Sequence, residues 1–471
     1  MKRLALAVGP AWLLVTLLVQ APGSLPEPAW RTAGLAGWMA LWWLTGVVPL
    51  EATALLPIVV LPLVGVTDLA DITASYADPI IFLFLGGFFM AATLERWGLH
   101  KRFALATIRG VGTGGRQVIL AFMLTSAVAS MWISNTATTI MMLPIALAVA
   151  RAAGDESGDM PTALLLAVAY GASIGGVSTL IGTPPNAIFA GAARELLGTD
   201  IGFAEWMGLA LPVSIPMLFC CWLLLVWFFR VRGKLPGLAT YVEREHAGLG
   251  RMTGGERFVL VVFACTAAAW IFREPKVIGA VHVPGLADVL PGISDAGIAI
   301  AAAVVLFAMP LYRQRSPFAL DWESARRVPW GILLLFGGGL ALARAFEVSG
   351  LTHAVGGLLG GLRGVPTPLV IAATAALFEV LTELTSNTAT AALGMPLMFG
   401  VAGGLGIEAL PLMMAATFAA SMAFMLPVAT PPNAIVFGSG RVSSHQMLRA
   451  GFRLNAMSVA IITLILWLRG A

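Results

Sequence analysis

The chain has 471 residues, is 59% hydrophobic and 11% charged, and has a mean hydropathy of +0.90. A soluble domain carries roughly 25% charged residues, so this composition excludes an ordinary soluble fold and points to a polytopic helical membrane protein. Net charge is +4, from 28 Lys+Arg against 24 Asp+Glu, and no basic cluster interleaved with aromatics suggests nucleic-acid binding.

Apolar segments fall near 4–20, 33–48, 50–66, 78–97, 117–133, 139–150, 161–200, 206–229, 256–272, 295–311, 328–346, 366–385, 391–405, 409–438 and 446–468. The first follows Met1-Lys2-Arg3 without a small-x-small cleavage site, so it reads as a spanning helix rather than a signal peptide. Cys220, Cys221 and Cys265 lie in apolar runs without metal-ligand spacing and read as packing residues.

Two polar motifs recur in this apolar background. Ser134-Asn135-Thr136-Ala137-Thr138 precedes Thr183-Pro184-Pro185-Asn186-Ala187-Ile188, and Ser386-Asn387-Thr388-Ala389-Thr390 precedes Thr430-Pro431-Pro432-Asn433-Ala434-Ile435. The segments beside each Ser-Asn-Thr are short, about 17 residues before and 12 after, which predicts a re-entrant helical hairpin with the motif at its tip. Each Pro lacks an N–H and disfavours a helical residue before it. Segment 161–200 is therefore expected to break near Gly182-Thr183, and segment 409–438 near Ala429-Thr430.

Charge orients this layout. With the N-terminus cytoplasmic, 21 of the 28 Lys and Arg fall in cytoplasmic segments and 7 in outer ones, in line with the positive-inside rule. The resulting layout has about eleven transmembrane helices and two re-entrant hairpins entering from opposite sides, with the C-terminus outside. The hydrophilic stretch 230–257 divides the chain. Gly86 and Gly337 differ by 251 positions, and Glu95 and Glu347, Gly98 and Gly350, and Asn135 and Asn387 each by 252. A shared offset between oppositely directed halves is an inverted repeat, a signature of secondary transporters. The expected division is 1–116 scaffold, 117–205 first hairpin and broken helix, 206–365 linker and second scaffold, 366–440 second hairpin and broken helix, and 441–471 a terminal helix.

A helix broken inside the bilayer leaves backbone groups that are tolerable only where they bind something or line a wet cavity. Helix N-termini suit an anion; unwound carbonyls and an Asn amide oxygen suit an alkali cation. Two hairpin tips and two broken helices would make one site for an anion flanked by two cations.

The paired SNTAT and TPPNAI motifs resemble those of the divalent anion:sodium symporter (DASS) family of dicarboxylate, citrate and sulfate transporters, over nearly the whole chain. The resemblance implies a homodimer with a moving transport domain that works as an elevator, and two or more co-transported Na⁺. It assigns a first cation site to Ser130, the Ile133 carbonyl, Asn135 and the Gly182 carbonyl. The second takes Thr382, the Thr385 carbonyl, Asn387 and the Ala429 carbonyl. Substrate contacts would be Asn135, Thr136, Thr183, Ser386, Asn387, Thr388, Thr430 and Pro431. Thr183 stands where some members carry serine, which narrows the pocket by a methyl.

Glu379 and Glu383 precede the second tip, about one turn apart, while the offset-252 positions hold Ala127 and Met131. A carboxylate in a membrane segment suggests cation binding or proton coupling; a buried packing hydrogen bond is the alternative. Glu51 reads as a loop or interface residue, and the five histidines as loop or helix-end residues. Trp42, Trp43 and Trp97 suit an interfacial belt, and Gly171 and Gly175 suit close helix packing. The expected function is sodium-coupled symport of a small di- or tricarboxylate in a bacterial inner membrane. A sodium-independent exchanger and a sulfate transporter are the alternatives. An enzyme is not expected, since no nucleophile–base pair or metal cluster is apparent, and two inverted hairpins argue against an ion channel.

Overall fold

The structure, a computed structural model, describes residues 2–23, 25–111, 114–152, 159–231, 238–278, 281–313, 316–359, 361 and 363–470. Of the charges behind the predicted orientation, Arg232, Lys234 and Arg315 lie outside the described residues. The fold is almost entirely helical. Eight helices are long and apolar enough to cross a membrane, and five shorter apolar helices accompany them, among the described residues. Two small antiparallel β-hairpins, Lys276–Ile278 with Val281–Val283 and Pro310–Arg313 with Ser316–Phe318, add to the helices. The hydropathy reading did not foresee them because they fall in the less apolar connections.

The first hairpin has arms Gly115–Ser130 and Asn135–Ala152, and the second Thr367–Leu384 and Asn387–Leu405. The later arms hold 18 and 19 residues, not the 12 expected from hydropathy. Each arm starts at the Asn of the motif itself, with Ser134 and Ser386 just outside it. Polar residues in the first turn lower the local hydropathy, so an apolar count begins too late. Pro144 and Pro396 lie inside these arms at the same 252-residue offset.

Each broken helix is a helix, an unwound stretch and a second helix. The first pairs Asp159–Val177 with Pro184–Leu197, and the second Ala409–Ser421 with Pro431–Gly438. The restarts fall at Pro184 and Pro431, as the missing proline N–H requires. Unwinding begins earlier than expected, at 178 and 422.

The halves are built alike and interlock. Within each, the earlier hairpin arm packs on the first piece of the broken helix, and that piece packs on the long helix that follows, Phe203–Phe228 or Ser444–Gly470. Between them, Pro184–Leu197 packs against Asn387–Leu405 and Ala409–Ser421. In exchange, Pro431–Gly438 packs against Asn135–Ala152 and Asp159–Val177. This reciprocal exchange brings both motif pairs to one place. The helices Glu27–Thr45, Pro79–Arg96 and Trp330–Ser349 flank that unit.

Helix Asp159–Val177 is buried from Met160 onward. Its small residues let the neighbouring backbone approach: a Cβ on Gly175 would stand 2.2 Å from the Ala127 carbonyl oxygen and one on Gly171 2.7 Å from that of Met123. Without a hydrophobic drive between helices in lipid, such van der Waals contact is what holds them. Gly175→Ala is therefore expected to lower the melting temperature in detergent, because a backbone must move. Gly208→Ala, where a Cβ meets nothing within 4 Å, is expected to leave it unchanged or slightly raised; equal effects would refute the packing argument.

Candidate functional site

The four motifs converge on one cavity of about 560 Å³. Four helices begin at it: Asn135–Ala152, Pro184–Leu197, Asn387–Leu405 and Pro431–Gly438. Each N-terminus carries about half a positive charge, so four together favour an anion. Among the described residues no Arg, Lys, His, Asp or Glu lines this cavity. All eight residues expected to contact substrate line it: Asn135, Thr136, Thr183, Ser386, Asn387, Thr388, Thr430 and Pro431. Ser386 makes no side-chain cap. Thr183 makes none either, whereas the Thr430 hydroxyl accepts from the Asn433 N–H at 3.2 Å.

Behind each tip lies a cluster of neutral oxygens. The Ser130 hydroxyl donates to Asn135 Oδ1 at 2.6 Å, and that amide head lies 3.3 Å from the carbonyl oxygens of both Ala172 and Gly182. Turned one way, the amide donates N–H groups to these oxygens. Turned the other, its oxygen completes an all-oxygen cluster of the kind that suits a hard cation. The second half repeats this. Thr382 Oγ1 lies 2.8 Å from Asn387 Oδ1 and 2.7 Å from the Ala420 carbonyl oxygen. One hydroxyl proton cannot fully satisfy both acceptors. Ser130 and Thr382 are fully buried.

Gly182, Thr385 and Ala429 also line the cavity. The Thr385 hydroxyl is engaged within the hairpin, donating to the Leu381 carbonyl at 2.9 Å and lying 2.6 Å from Thr390 Oγ1, which leaves its carbonyl as the group to consider. Ile133 does not line this cavity; it faces a second one of about 570 Å³, bordered by Glu95, Arg96 and Arg327. Ser134 and Phe88 border both. Among the described residues no group of three or more His, Cys, Asp or Glu is placed to hold a metal ion.

Several contributors escape sequence reasoning. The Ala172 and Ala420 carbonyls are main-chain groups and leave no signal in residue type. Thr45, Phe84, Phe88 and Ile332 line the cavity from the flanking helices, far from either motif. Asn186 and Asn433 do carry a signal, since both belong to the repeated motif. Neither lines the cavity. Asn186 Nδ2 reaches the carbonyls of Gly176, Val177 and Thr179 at 3.0, 3.2 and 2.7 Å, and Asn433 Nδ2 those of Ala423 and Leu426, both at 3.1 Å. Each brace pairs orphan carbonyls where its helix unwinds.

Glu379 and Glu383 do not line the cavity. The Glu379 carboxyl is paired with the Ser458 hydroxyl. Glu383 accepts from three backbone N–H groups and the Asn455 amide. The alternative of a buried hydrogen bond is therefore the one that their geometry matches.

A polytopic helical protein with four helix N-termini and two oxygen clusters around one neutral cavity is built as a secondary transporter. The chain matches the family described as "Sodium:sulfate symporter transmembrane region" over residues 2–469, and it belongs to that family. It is 39% identical over 479 residues to the "Sodium-dependent dicarboxylate transporter SdcS" of Staphylococcus saprophyticus, covering 99% of this chain and 91% of that one. The same-named protein of Staphylococcus aureus strain bovine RF122 is 39% identical over 478 residues with the same coverage. Among solved structures, the YdaH transporter of Alcanivorax borkumensis aligns with a TM-score of 0.55 at 15% identity, over 93% of this chain and 98% of that one. MtrF of Neisseria gonorrhoeae aligns with a TM-score of 0.56 at 11% identity, over 97% of each chain. These two likenesses concern the fold alone.

The first oxygen cluster offers a direct test. A Cβ on Gly176 would stand 2.4 Å from Asn135 Oδ1 and 3.1 Å from the Gly182 carbonyl oxygen, within the first oxygen cluster. Added Na⁺ is expected to raise the melting temperature of the purified protein, and Gly176→Ala is expected to remove most of that rise. A full Na⁺ response in the variant would show that the first cluster holds no cation.

Proposed function

We propose that this protein is a sodium-coupled symporter of small divalent anions, with C4-dicarboxylates as the first choice of substrate. The observation that carries the reading is the convergence of four helix N-termini on a cavity that no charged side chain among the described residues lines. A dianion there meets backbone N–H groups, amides and hydroxyls, but no fixed cation. The oxygen clusters behind Asn135 and Asn387 supply the missing charge when Na⁺ fills them. Ser130, Asn135 and the Gly182 carbonyl hold one ion, joined by the Ala172 carbonyl; the Ile133 carbonyl is the weaker member because its residue faces elsewhere. Thr382, Asn387 and the Thr385 and Ala429 carbonyls hold the other, joined by the Ala420 carbonyl. The names of the SdcS relatives support both the ion and the dicarboxylate. Citrate and sulfate present the same oxygen chemistry and remain competitors for the site.

Transport proceeds by alternating access, with the two hairpins and broken helices moving as one body against a scaffold. Two features support this elevator reading. Helix contacts between the two parts include small apolar ones: a Cβ on Gly191 would meet Leu340 at 2.6 Å, and one on Gly339 would meet Ala392 at 2.9 Å. Side chains of this kind slide without locking. Ion pairs tie the parts at one end, Arg194 with Asp78 at 3.1 Å and Arg344 with Glu195 at 3.1 Å. The reading keeps the N-terminus cytoplasmic, the C-terminus outside, the hairpins re-entrant from opposite faces, and a homodimer in the bacterial cell membrane.

Proteoliposomes with an inward Na⁺ gradient are expected to accumulate labelled succinate, and succinate binding is expected to collapse in sodium-free buffer. Uptake that needs only internal dicarboxylate would instead support an exchanger. Asn135→Ala and Asn387→Ala, made separately, are each expected to raise the Na⁺ half-saturation at least about tenfold, since losing even a residue that only orients a metal ligand costs about that much. Competition by malate, citrate, sulfate and phosphate then ranks the substrates.

A further inference from the structure

The two halves solve one problem differently. A helix that unwinds in the bilayer frees N–H groups as well as carbonyls. In the first half, 178–183 is short, and two of its N–H groups find partners in the local turn: Ser178 bonds the Gly175 carbonyl at 3.0 Å and Gly182 that of Thr179 at 3.3 Å. In the second half, 422–430 is longer, and the N–H groups of three successive residues point to one side chain. Glu383 Oε1 accepts from Phe424 N at 2.7 Å and Met425 N at 2.8 Å, and Oε2 accepts from Leu426 N at 2.9 Å. Asn455 Nδ2, on the C-terminal helix, adds a fourth bond at 3.1 Å. None of the four donors carries a full charge, and Glu383 itself is buried.

The bonded stretch leads to the site in two steps. The Leu426 carbonyl accepts from Ala429 N at 3.2 Å and from Asn433 Nδ2 at 3.1 Å. Ala429 then lines the cavity, as do Asn387 of the second oxygen cluster and Thr430, which follows it. Glu383 is also the immediate neighbour of Thr382, whose hydroxyl belongs to that cluster. A single carboxylate thus joins the last turn of the hairpin arm, the unwound stretch and the C-terminal helix. Met131 occupies the equivalent position in the first half, where its carbonyl accepts from the Thr179 hydroxyl.

Resting on the sodium-coupled reading above, we infer that Glu383 is the positioning residue of the second cation site: its carboxylate fixes the unwound stretch 422–430 so that the Ala429 carbonyl meets Thr382 and Asn387, and Asn455 secures it from behind. Glu383 touches neither ion nor anion. Both carboxylate oxygens are occupied by N–H donors, and the residue lines no part of the cavity. The Gln variant keeps the shape but places an N–H₂ group against N–H donors, which turns bonds into clashes on one side.

The test uses the full-length protein in proteoliposomes and labelled succinate. Glu383→Gln is expected to raise the Na⁺ half-saturation about tenfold or more, the usual cost of removing a residue that orients a metal ligand, with the succinate KM at saturating Na⁺ unchanged. Glu383→Asp keeps the charge and is expected to be intermediate, and Asn455→Ala, which removes one of four bonds, to shift less. Combined with Asn387→Ala, in the same site, Glu383→Gln is expected to add little; combined with Asn135→Ala, in the other site, its effect is expected to add in full. If Glu383→Gln does not fold, Glu383→Asp and Asn455→Ala give the same readout. A wild type whose uptake ignores Na⁺ overturns the coupling reading and this inference with it. A sodium-dependent wild type with unshifted variants, or with additivity in the Asn387 pair, overturns the inference alone.

Discussion

Every backbone N–H and C=O released by a break in a helix inside a bilayer must find a partner within the protein or at the ligand. This chain breaks two helices and starts two hairpin arms in its interior, so the constraint applies four times. The partners divide by purpose. On the cavity side the helix N-termini and the carbonyls stay available to a ligand, which the proposed reading takes to be an anion and its cations. On the far side they are bonded by Asn186, Asn433, Glu383, Tyr170 and Trp206. The far-side bonds hold the near-side groups open.

The neutrality of the cavity follows from the same arrangement. An arginine there would bind a dianion well but would carry a permanent charge through each transport cycle. Helix dipoles and co-bound ions give a field that exists in full only when the ions are present. Anion affinity and ion occupancy thereby become one linked quantity, which is the thermodynamic requirement for coupling.

The repeat sets the design, and departures from it distinguish the halves. Ser130 and Thr382 play one part with two hydroxyl types. The Ala172 and Ala420 carbonyls stand in corresponding places. Yet the second unwound stretch is longer and is anchored by Glu383 and Asn455, for which Met131 offers no side-chain counterpart. The two halves therefore present similar oxygen clusters from differently bonded supports.

Much of this was legible in the chain. The charge deficit dictated a membrane protein, the 252-residue offset dictated a repeat, and proline chemistry fixed where the second helices restart, at Pro184 and Pro431. The Ser-Asn-Thr residues marked the hairpin tips, because polar side chains without a role do not persist cheaply in apolar surroundings. Hydropathy began the later hairpin arms too late, because Asn135 and Asn387 are polar yet helical. It was also silent on the β-hairpins, whose pairing is local to the connections. What only the tertiary structure decided are the pairings between distant segments: the meeting of both halves at one cavity, the Ala172 and Ala420 carbonyls, and the aim of Glu383 away from the cavity. Residue type says which bonds a group can make. The direction in which a side chain or carbonyl points depends on packing among helices hundreds of residues apart, and that is set only when the whole chain is assembled.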